Sequence, residues 1–336
     1  MLRLALIGCS ENVVDHEFVA ARIRRAKFTA VVDRNVALAR RVAQAIGAEV
    51  WNDNFYRLLE ENGTEFDAAV IHHSCDQDLA VLCSTIVGAG KQLFVDNLLD
   101  LSKTAATELV VACARDDART MFGQASRFLP AIQAIKNSLA AGQLGEPGLL
   151  RIHRWEPTES TDWNSSSSEG KLRREIDLAC WFFGHAPTIV YATSQQSSRS
   201  KLSDLEYVQL HLGFADGGMA LIDYARKLPP GDGYYSLSLI GSKGAAYGDE
   251  HNNMQLLLTG GQPRACPMAI GNWQSNLSML AQLQEFVAAI EEDRRPLVAG
   301  SEILQVIQVT DAAAESLMKH RAFRRCDSYY EPVETS

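Results

Sequence analysis

The stretch Leu2-Arg3-Leu4-Ala5-Leu6-Ile7-Gly8-Cys9-Ser10-Glu11-Asn12-Val13, with its continuation to Asp33, decides the fold. Residues 2–7 are short and mostly apolar, as in a buried strand. Residues 8–13 carry glycine and small polar side chains and read as a turn. Residues 14–27 place Phe18, Val19, Ala21, Ile23 and Ala26 at helical spacing, and residues 28–32 form a second apolar strand ending on Asp33. A strand, a turn, a helix and a strand closed by an acid is the opening of a dinucleotide-binding unit. The helix N-terminus can hold a diphosphate, and the acid can accept from a ribose hydroxyl. Of the G-x-G-x-x-G pattern only Gly8 is kept, with Ser10 and Val13 at the other two glycine positions.

Outward from this stretch, 336 residues suffice for two domains, each with a core of its own. The formal net charge is −9 and no basic tract occurs, which argues against nucleic acid or an anionic membrane as partner. No apolar run is long enough to span a bilayer, and no signal-peptide pattern precedes the first strand, so a cytoplasmic protein is expected. The cysteines (Cys9, Cys75, Cys83, Cys113, Cys180, Cys266 and Cys326) are scattered without a C-x-x-C pair. Such spacing suits buried thiols in a reducing compartment better than a disulfide framework.

The first part of the chain alternates helix and strand. Helices are expected over 36–46, 55–61, 79–87 and 104–117, and strands over 48–51, 68–71, 92–95 and 120–122. This rhythm predicts a mostly parallel Rossmann-type sheet with helices on both faces, hence an α/β fold. Ligands in such sheets sit beyond the strand C-termini, which singles out Gly8 to Val13, Asp33, His72 to Cys75, Asp96 to Leu98 and Gln124 to Arg127. A helix over 130–141 follows. The pattern then changes to strands over 149–155, 188–193, 206–214, 219–225, 235–240, 245–247 and 254–258, a polar loop over 159–170 and helices over 172–183, 279–292 and 302–320. That is an α+β domain with a large, mainly antiparallel sheet. The expected division is 1–124 for the dinucleotide-binding domain and 125–336 for a substrate-binding and oligomerisation domain, with the final helix free to pack back on the first.

Five stretches, taken together, resemble the Gfo/Idh/MocA family of glucose–fructose oxidoreductases and inositol dehydrogenases over essentially the whole chain. Leu6-Ile7-Gly8-Cys9 with His16 is similar to its opening turn. Val95-Asp96-Asn97-Leu98 stands where the family has Glu-Lys-Pro. Gly123-Gln124 with Arg127-Phe128 and Pro130 is similar to its crossover strand, Ile176-Asp177-Leu178 with Trp181 and Gly184 to its second-domain helix, and Leu239-Ile240-Gly241-Ser242-Lys243-Gly244 to its late sheet signature. The resemblance implies a nicotinamide cofactor, a sugar, polyol or related hydroxylated substrate, and hydride transfer at a carbon bearing oxygen. It also implies a lysine and a histidine that hold the substrate oxygen and move its proton.

Both of those residues are replaced. The lysine position is Asn97, an uncharged amide, and the histidine position is Arg174, whose guanidinium cannot act as a base. In the helix motif only Asp177 is retained. The catalytic candidates are therefore Asp177, Arg174 and Asn97, and the proton is expected on another group, with Asp177, Asp96, Glu175 and His153 open. The cofactor candidates are Gly8, Ser10, Asn12, Val13, Asp33, Arg34, His73, Ser74, Asp96, Asn97 and Gln124. Asp33 favours NAD because it repels a 2′-phosphate, while Arg34 leaves NADP open. Glu11 disfavours a diphosphate unless it points outward. His72 and His73 point opposite ways if extended, and no histidine has metal-ligand spacing, so no metal is expected. Cys75 is read as inert.

Two further classes stay open beside an oxidoreductase. One is a redox-inactive relative that binds a ligand or partner, motivated by the paired loss of lysine and histidine. The other is non-redox chemistry at a bound cofactor. The broad sheet of the second domain is expected to pair with its copy, giving a homodimer or homotetramer.

Overall fold

The computed structural model describes residues 1–72, 78–96, 98–114, 119–157, 168–195, 206–229, 233–249, 254–259, 262–267, 273–327 and 329–333. In chain order the first elements are β1 (Leu2–Ile7), α1 (Val13–Ala20), β2 (Ala26–Val32), α2 (Val36–Ile46), β3 (Val50–Asn52), α3 (Phe55–Asn62), β4 (Ala68–Ile71), α4 (Leu79–Gly88), β5 (Gln92–Val95), α5 (Lys103–Ala112), β6 (Thr120–Phe122) and α6 (Pro130–Ala140). Then come β7 (Pro147–Pro157), α7 (Ser168–Phe183), β8 (Ile189–Ser194), β9 (Tyr207–Gly213), β10 (Met219–Leu228), β11 (Tyr234–Gly241), β12 (Gly244–Asp249), β13 (Met254–Thr259), β14 (Gln262–Pro267), α8 (Trp273–Glu291), α9 (Gly300–Lys319), β15 (Phe323–Cys326) and β16 (Tyr329–Pro332). The chain divides into two compact units, Met1–Phe128 with Asn272–Leu304, and Leu129–Gly271 with Gln305–Ser336.

The first unit is built on a parallel sheet in the order β3-β2-β1-β4-β5-β6. Its strands are apolar on both faces because helices cover both. Leu4, Ala5, Ile7, Ala68, Ala69 and Ile71 are all but inaccessible, and each large side chain so buried contributes about 1.5–3 kcal/mol. The strand order reverses between β1 and β4, which opens a crevice at their C-terminal ends. From the end of the chain, α8 returns to this unit and sets Phe286 against Phe94 of β5, ring centroids 5.9 Å apart.

The second unit holds a broad sheet, among the described residues in the order β14-β13-β12-β11-β7-β10-β9-β8-β15-β16. Its centre is a parallel pair, β7 with β10, and the other neighbours are antiparallel. Strand alternation places Leu150 and Ile152 of β7, Ala220 and Ile222 of β10, and Leu237 and Leu239 of β11 on the buried face. Helix α7 packs on β7 and β10, and Ser316 of α9 accepts the backbone N–H of Ala192 in β8 at 3.0 Å.

The α/β architecture is as the sequence predicts, and several boundaries are not. Helix α1 ends at Ala20 instead of running to residue 27. Its last carbonyls are closed by Ala21, Arg22 and Ile23, and Arg25 takes a positive φ of 62°. The parallel register then requires Ala26 opposite Leu2, so β2 starts earlier than residue 28. Residues 168–170 are helical, although their polar sequence predicts a loop; residues 158–167 lie outside the description. Strands β14, β15 and β16 have no counterpart among the strands expected from the sequence. Each is short and gains its place by pairing with a neighbour rather than from its own apolar pattern.

Candidate functional site

Along the C-terminal edge of the first unit's sheet, the strands deliver Asn52, Asp33, Gly8, His72, Asp96 and Gln124 in spatial order. The turn after β1 begins at Gly8, whose φ of +79° suits glycine. Asp33 ties the turn to β2: its Oδ2 accepts from Cys9 N at 2.8 Å and its Oδ1 from Asn35 N at 2.8 Å. The half-buried Asp33 therefore spends one lone pair of each oxygen on backbone, and a carboxylate oxygen has a second to offer. Burial first, then the Asp33 charge, pushes the Cys9 thiol up to about 12.

Side chains do in this turn what glycines do in a standard one. Ser10 N donates to His16 Nε2 at 2.9 Å, and Asn12 N donates to Ser10 Oγ at 3.1 Å. Asn12 Nδ2 donates to Asp15 Oδ2 at 2.8 Å, and Asn276 of α8 donates to Asp15 Oδ1 at 2.8 Å. Glu11 is exposed, and its carbonyl accepts from Arg41 at 3.2 Å. Val13 opens α1, and Arg34 is exposed beside Asp33.

At the other end of the same edge, Asp96 is buried and its N–H donates to Ile71 O at 3.0 Å. Gln124 is buried after β6, with its N–H donating to Gln282 Oε1 at 2.7 Å, while Ser278 donates to Ala125 O at 2.7 Å. Helix α8 thus clamps the segment that follows β6. Gln124 Nε2, Gln282 Nε2 and His72 Nδ1 are buried and meet no hydrogen-bond partner among the described residues. A buried amide without an acceptor costs about 1–3 kcal/mol, so such atoms fit an acceptor-bearing ligand or water. A nicotinamide dinucleotide, with its carboxamide and phosphate oxygens, fits this edge. His73, Ser74, Cys75 and Asn97 lie outside the described residues.

In the second unit, α7 places a charged cluster over the ends of β7, β10 and β11. Arg154 donates from Nε to Glu175 Oε1 at 2.6 Å and lies over the Tyr235 ring, 4.5 Å from its centroid. Tyr235 donates to Glu175 Oε2 at 3.3 Å. Lys171 bonds Glu156 at 2.7 Å, and Tyr224 reaches the same oxygen at 3.3 Å. Burial works against the Arg154 charge, but Glu175, Tyr235 and Glu156 outweigh it and raise its pKa above the ordinary value. Arg174 is half-exposed on α7, and Asp177 is fully buried.

Two proton candidates change standing. Successive strand residues face opposite ways, so His153 lies on the sheet face away from Arg154 and α7, where it meets Asp223 at 3.0 Å. It cannot share a site with Arg174 or Asp177. Glu175 is the counter-ion of Arg154, and both of its oxygens are engaged, Oε1 by Arg154 at 2.6 Å and Oε2 by Tyr235 at 3.3 Å. Arg154, Glu156, Lys171, Tyr224 and Tyr235 are not among the residues expected from sequence; the available signal is the pair of charged residues continuing the inward-facing series Leu150, Ile152. Nor are Asn276, Ser278 and Gln282, which lie on a helix far along the chain and carry no local signal. Among the described residues no cluster of histidine, cysteine or acid has metal-ligating geometry, and no helix is long and apolar enough to cross a membrane.

A Rossmann-type parallel sheet joined to an α+β unit with one broad sheet is the architecture of an α/β oxidoreductase. Residues 136–322 match the family described as "Oxidoreductase family, C-terminal alpha/beta domain", and the chain belongs to this Gfo/Idh/MocA family. It is 24% identical over 331 residues to an inositol 2-dehydrogenase of Rhizobium meliloti, covering 95% of this chain and 98% of the relative. Its fold is similar to that of an Agrobacterium radiobacter oxidoreductase solved with NAD+, L-tartaric acid and magnesium (TM-score 0.80, 19% identity, 96% and 98% of the two chains). It is also similar to a Lactobacillus casei scyllo-inositol dehydrogenase solved with NAD(H) and scyllo-inositol (TM-score 0.73, 18% identity, 96% and 99%).

Proposed function

We propose that this chain is a nicotinamide-dependent oxidoreductase of a sugar, polyol or related hydroxylated small molecule, with NAD preferred over NADP. The observation that carries the reading is the C-terminal sheet edge, where Asp33 is fixed to the Gly8 turn and buried polar atoms of His72 and Gln124 meet no partner among the described residues. Relatives named as inositol dehydrogenases support the substrate class. A bound nicotinamide would supply the hydride acceptor or donor. On this side Gly8, Ser10, Asn12, Val13, Asp33, Arg34, His73, Ser74, Asp96, Asn97 and Gln124 hold the cofactor within residues 1–124. Residues 125–336 hold substrate, with Arg174 binding and orienting an oxygen rather than removing its proton, and Asp177 as the group retained from the family's motif. The broad sheet joins copies into a homodimer or homotetramer. Calorimetric titration with NAD and NADP, followed by nicotinamide absorbance across a panel of inositols, sugars and sugar acids, tests the reading. Binding of NAD with turnover of one substrate supports it; no binding of either dinucleotide at millimolar concentration refutes it.

A second reading, a redox-inactive binder of the same ligands, is favoured by the replacement of lysine and histidine at Asn97 and Arg174. Losing an acid–base group costs about 10²–10⁴-fold in rate and leaves binding intact. NAD binding without turnover on any panel member supports it.

A further inference from the structure

The turn after β1 has lost two of its three glycines and still makes a tight connection between a strand and a helix. Something else must hold its backbone. Ser10, at the second glycine position, is the residue whose conformation matters most, because a diphosphate approaches backbone there. Its N–H is neither solvent-facing nor left to a ligand; it donates to the ring nitrogen Nε2 of His16, one turn into α1, at 2.9 Å. Ser10 Oγ in turn accepts Asn12 N, so the same residue is held at its amide and its hydroxyl.

We propose that His16 is a positioning residue for the dinucleotide, acting through Ser10: its ring nitrogen fixes the Ser10 amide and so keeps the turn in the shape that cofactor binding requires. The inference rests on the cofactor reading above. Accepting from Ser10 demands an unprotonated Nε2, and the surroundings supply it. The ring sits edge-on to His72, centroids 6.0 Å apart. Burial, and then His72, lower its pKa to about 4 against the opposing pull of Asp15. At neutral pH the ring is uncharged, carries its proton on Nδ1 and offers Nε2 as an acceptor. Two pins then hold the turn at successive amides, Asp33 at Cys9 N and His16 at Ser10 N. They take over the job that conformational freedom does in a glycine-rich turn.

The test uses the full chain, with NAD as the probe. His16→Phe keeps the ring and removes the acceptor. His16→Gln places an amide oxygen near the position of Nε2. The expected result is an NAD affinity about five- to tenfold weaker for His16→Phe, as for loss of one hydrogen bond that fixes a binding element, and restored to within about twofold of the parent in His16→Gln. A structural role alone would lower the melting temperature of both variants without this split in affinity. If His16→Phe fails to fold, amide exchange at Ser10 in the parent protein decides: strong protection supports the inference, and exchange at the unprotected rate overturns it. Equal NAD affinity in the parent and His16→Phe also overturns it. Failure of the parent itself to bind NAD refutes the cofactor reading instead.

Discussion

The Asp33 carboxylate and the Cys9 backbone N–H are joined at 2.8 Å, so the acid that ends β2 and the turn that follows β1 are one hydrogen-bonded unit. The acid that marks the ribose position in the sequence is also a structural clip. Asp33→Ala should therefore do two things at once. It should cost about 1.5–3 kcal/mol of stability for lost bonds to a charged acceptor, read by urea unfolding, and should weaken NAD at least about tenfold. Asp33→Asn keeps one acceptor oxygen and should fall between. Unchanged stability in Asp33→Ala would show that the clip is idle.

The same contact bears on Cys9. With its thiol pushed up to about 12, chiefly by burial and then by Asp33, Cys9 stays protonated and unreactive at neutral pH. Iodoacetamide followed by peptide mapping should leave Cys9 unmodified in the folded protein and modify it after unfolding. Because burial is the larger cause, Asp33→Ala should not make it reactive. Prompt labelling of native Cys9 would contradict the buried placement.

His16 gives a pH dependence with a definite sign. Its folded pKa of about 4 lies below the ordinary 6.5, so the unfolded chain takes up the proton first as pH falls. The contribution to stability is complete above about 6.5 and is lost progressively as pH drops toward 4. It amounts to roughly 3 kcal/mol. Denaturant melts across that window should be steeper in the parent than in His16→Gln, and identical pH profiles would contradict the assignment.

How much of this was legible beforehand depends on the range of the interaction. Gly8, Asp33 and the order of the parallel sheet follow from local signals: apolar runs, a turn residue and the acid at a strand end. The end of α1 did not, because Ile23 and Ala26 keep the helical period and only the register opposite Leu2 places Ala26 in a strand. The pairing of Gln124 with Gln282 spans 158 residues and depends on the return of α8, which no pattern near Gln124 announces. Arg154 and Glu156 were visible as charges in an inward-facing series, but they make sense only once α7 brings Glu175 and Lys171 against them.

That cluster supplies its own test. Glu175 is fully buried and Arg154 is its partner through Nε and NH2. Removing one member leaves an uncompensated charge, so Arg154→Leu should cost roughly 3 kcal/mol or more. Arg154→Leu with Glu175→Leu should recover most of that loss. Thermal melts of the single and double variants measure it; additive losses would show that the two side chains are not coupled.

The sheet face opposite α7 carries Trp155, Tyr191, Tyr207 and Tyr247, each more than a third exposed. Aromatic side chains are enriched where protein surfaces meet, and self-association through this face is expected to bury them. Sedimentation should give a dimer or tetramer at micromolar concentration, and Trp155→Glu should shift it toward monomer. A monomeric parent protein would contradict the proposed assembly.

The most direct test of the proposed cofactor site is a calorimetric titration of the parent chain with NAD, run beside Asp33→Ala. The expected result is saturable binding by the parent, weaker for NADP than for NAD, and at least about tenfold weaker in Asp33→Ala. Absence of binding of both dinucleotides at millimolar concentration, or binding indifferent to Asp33, would contradict it.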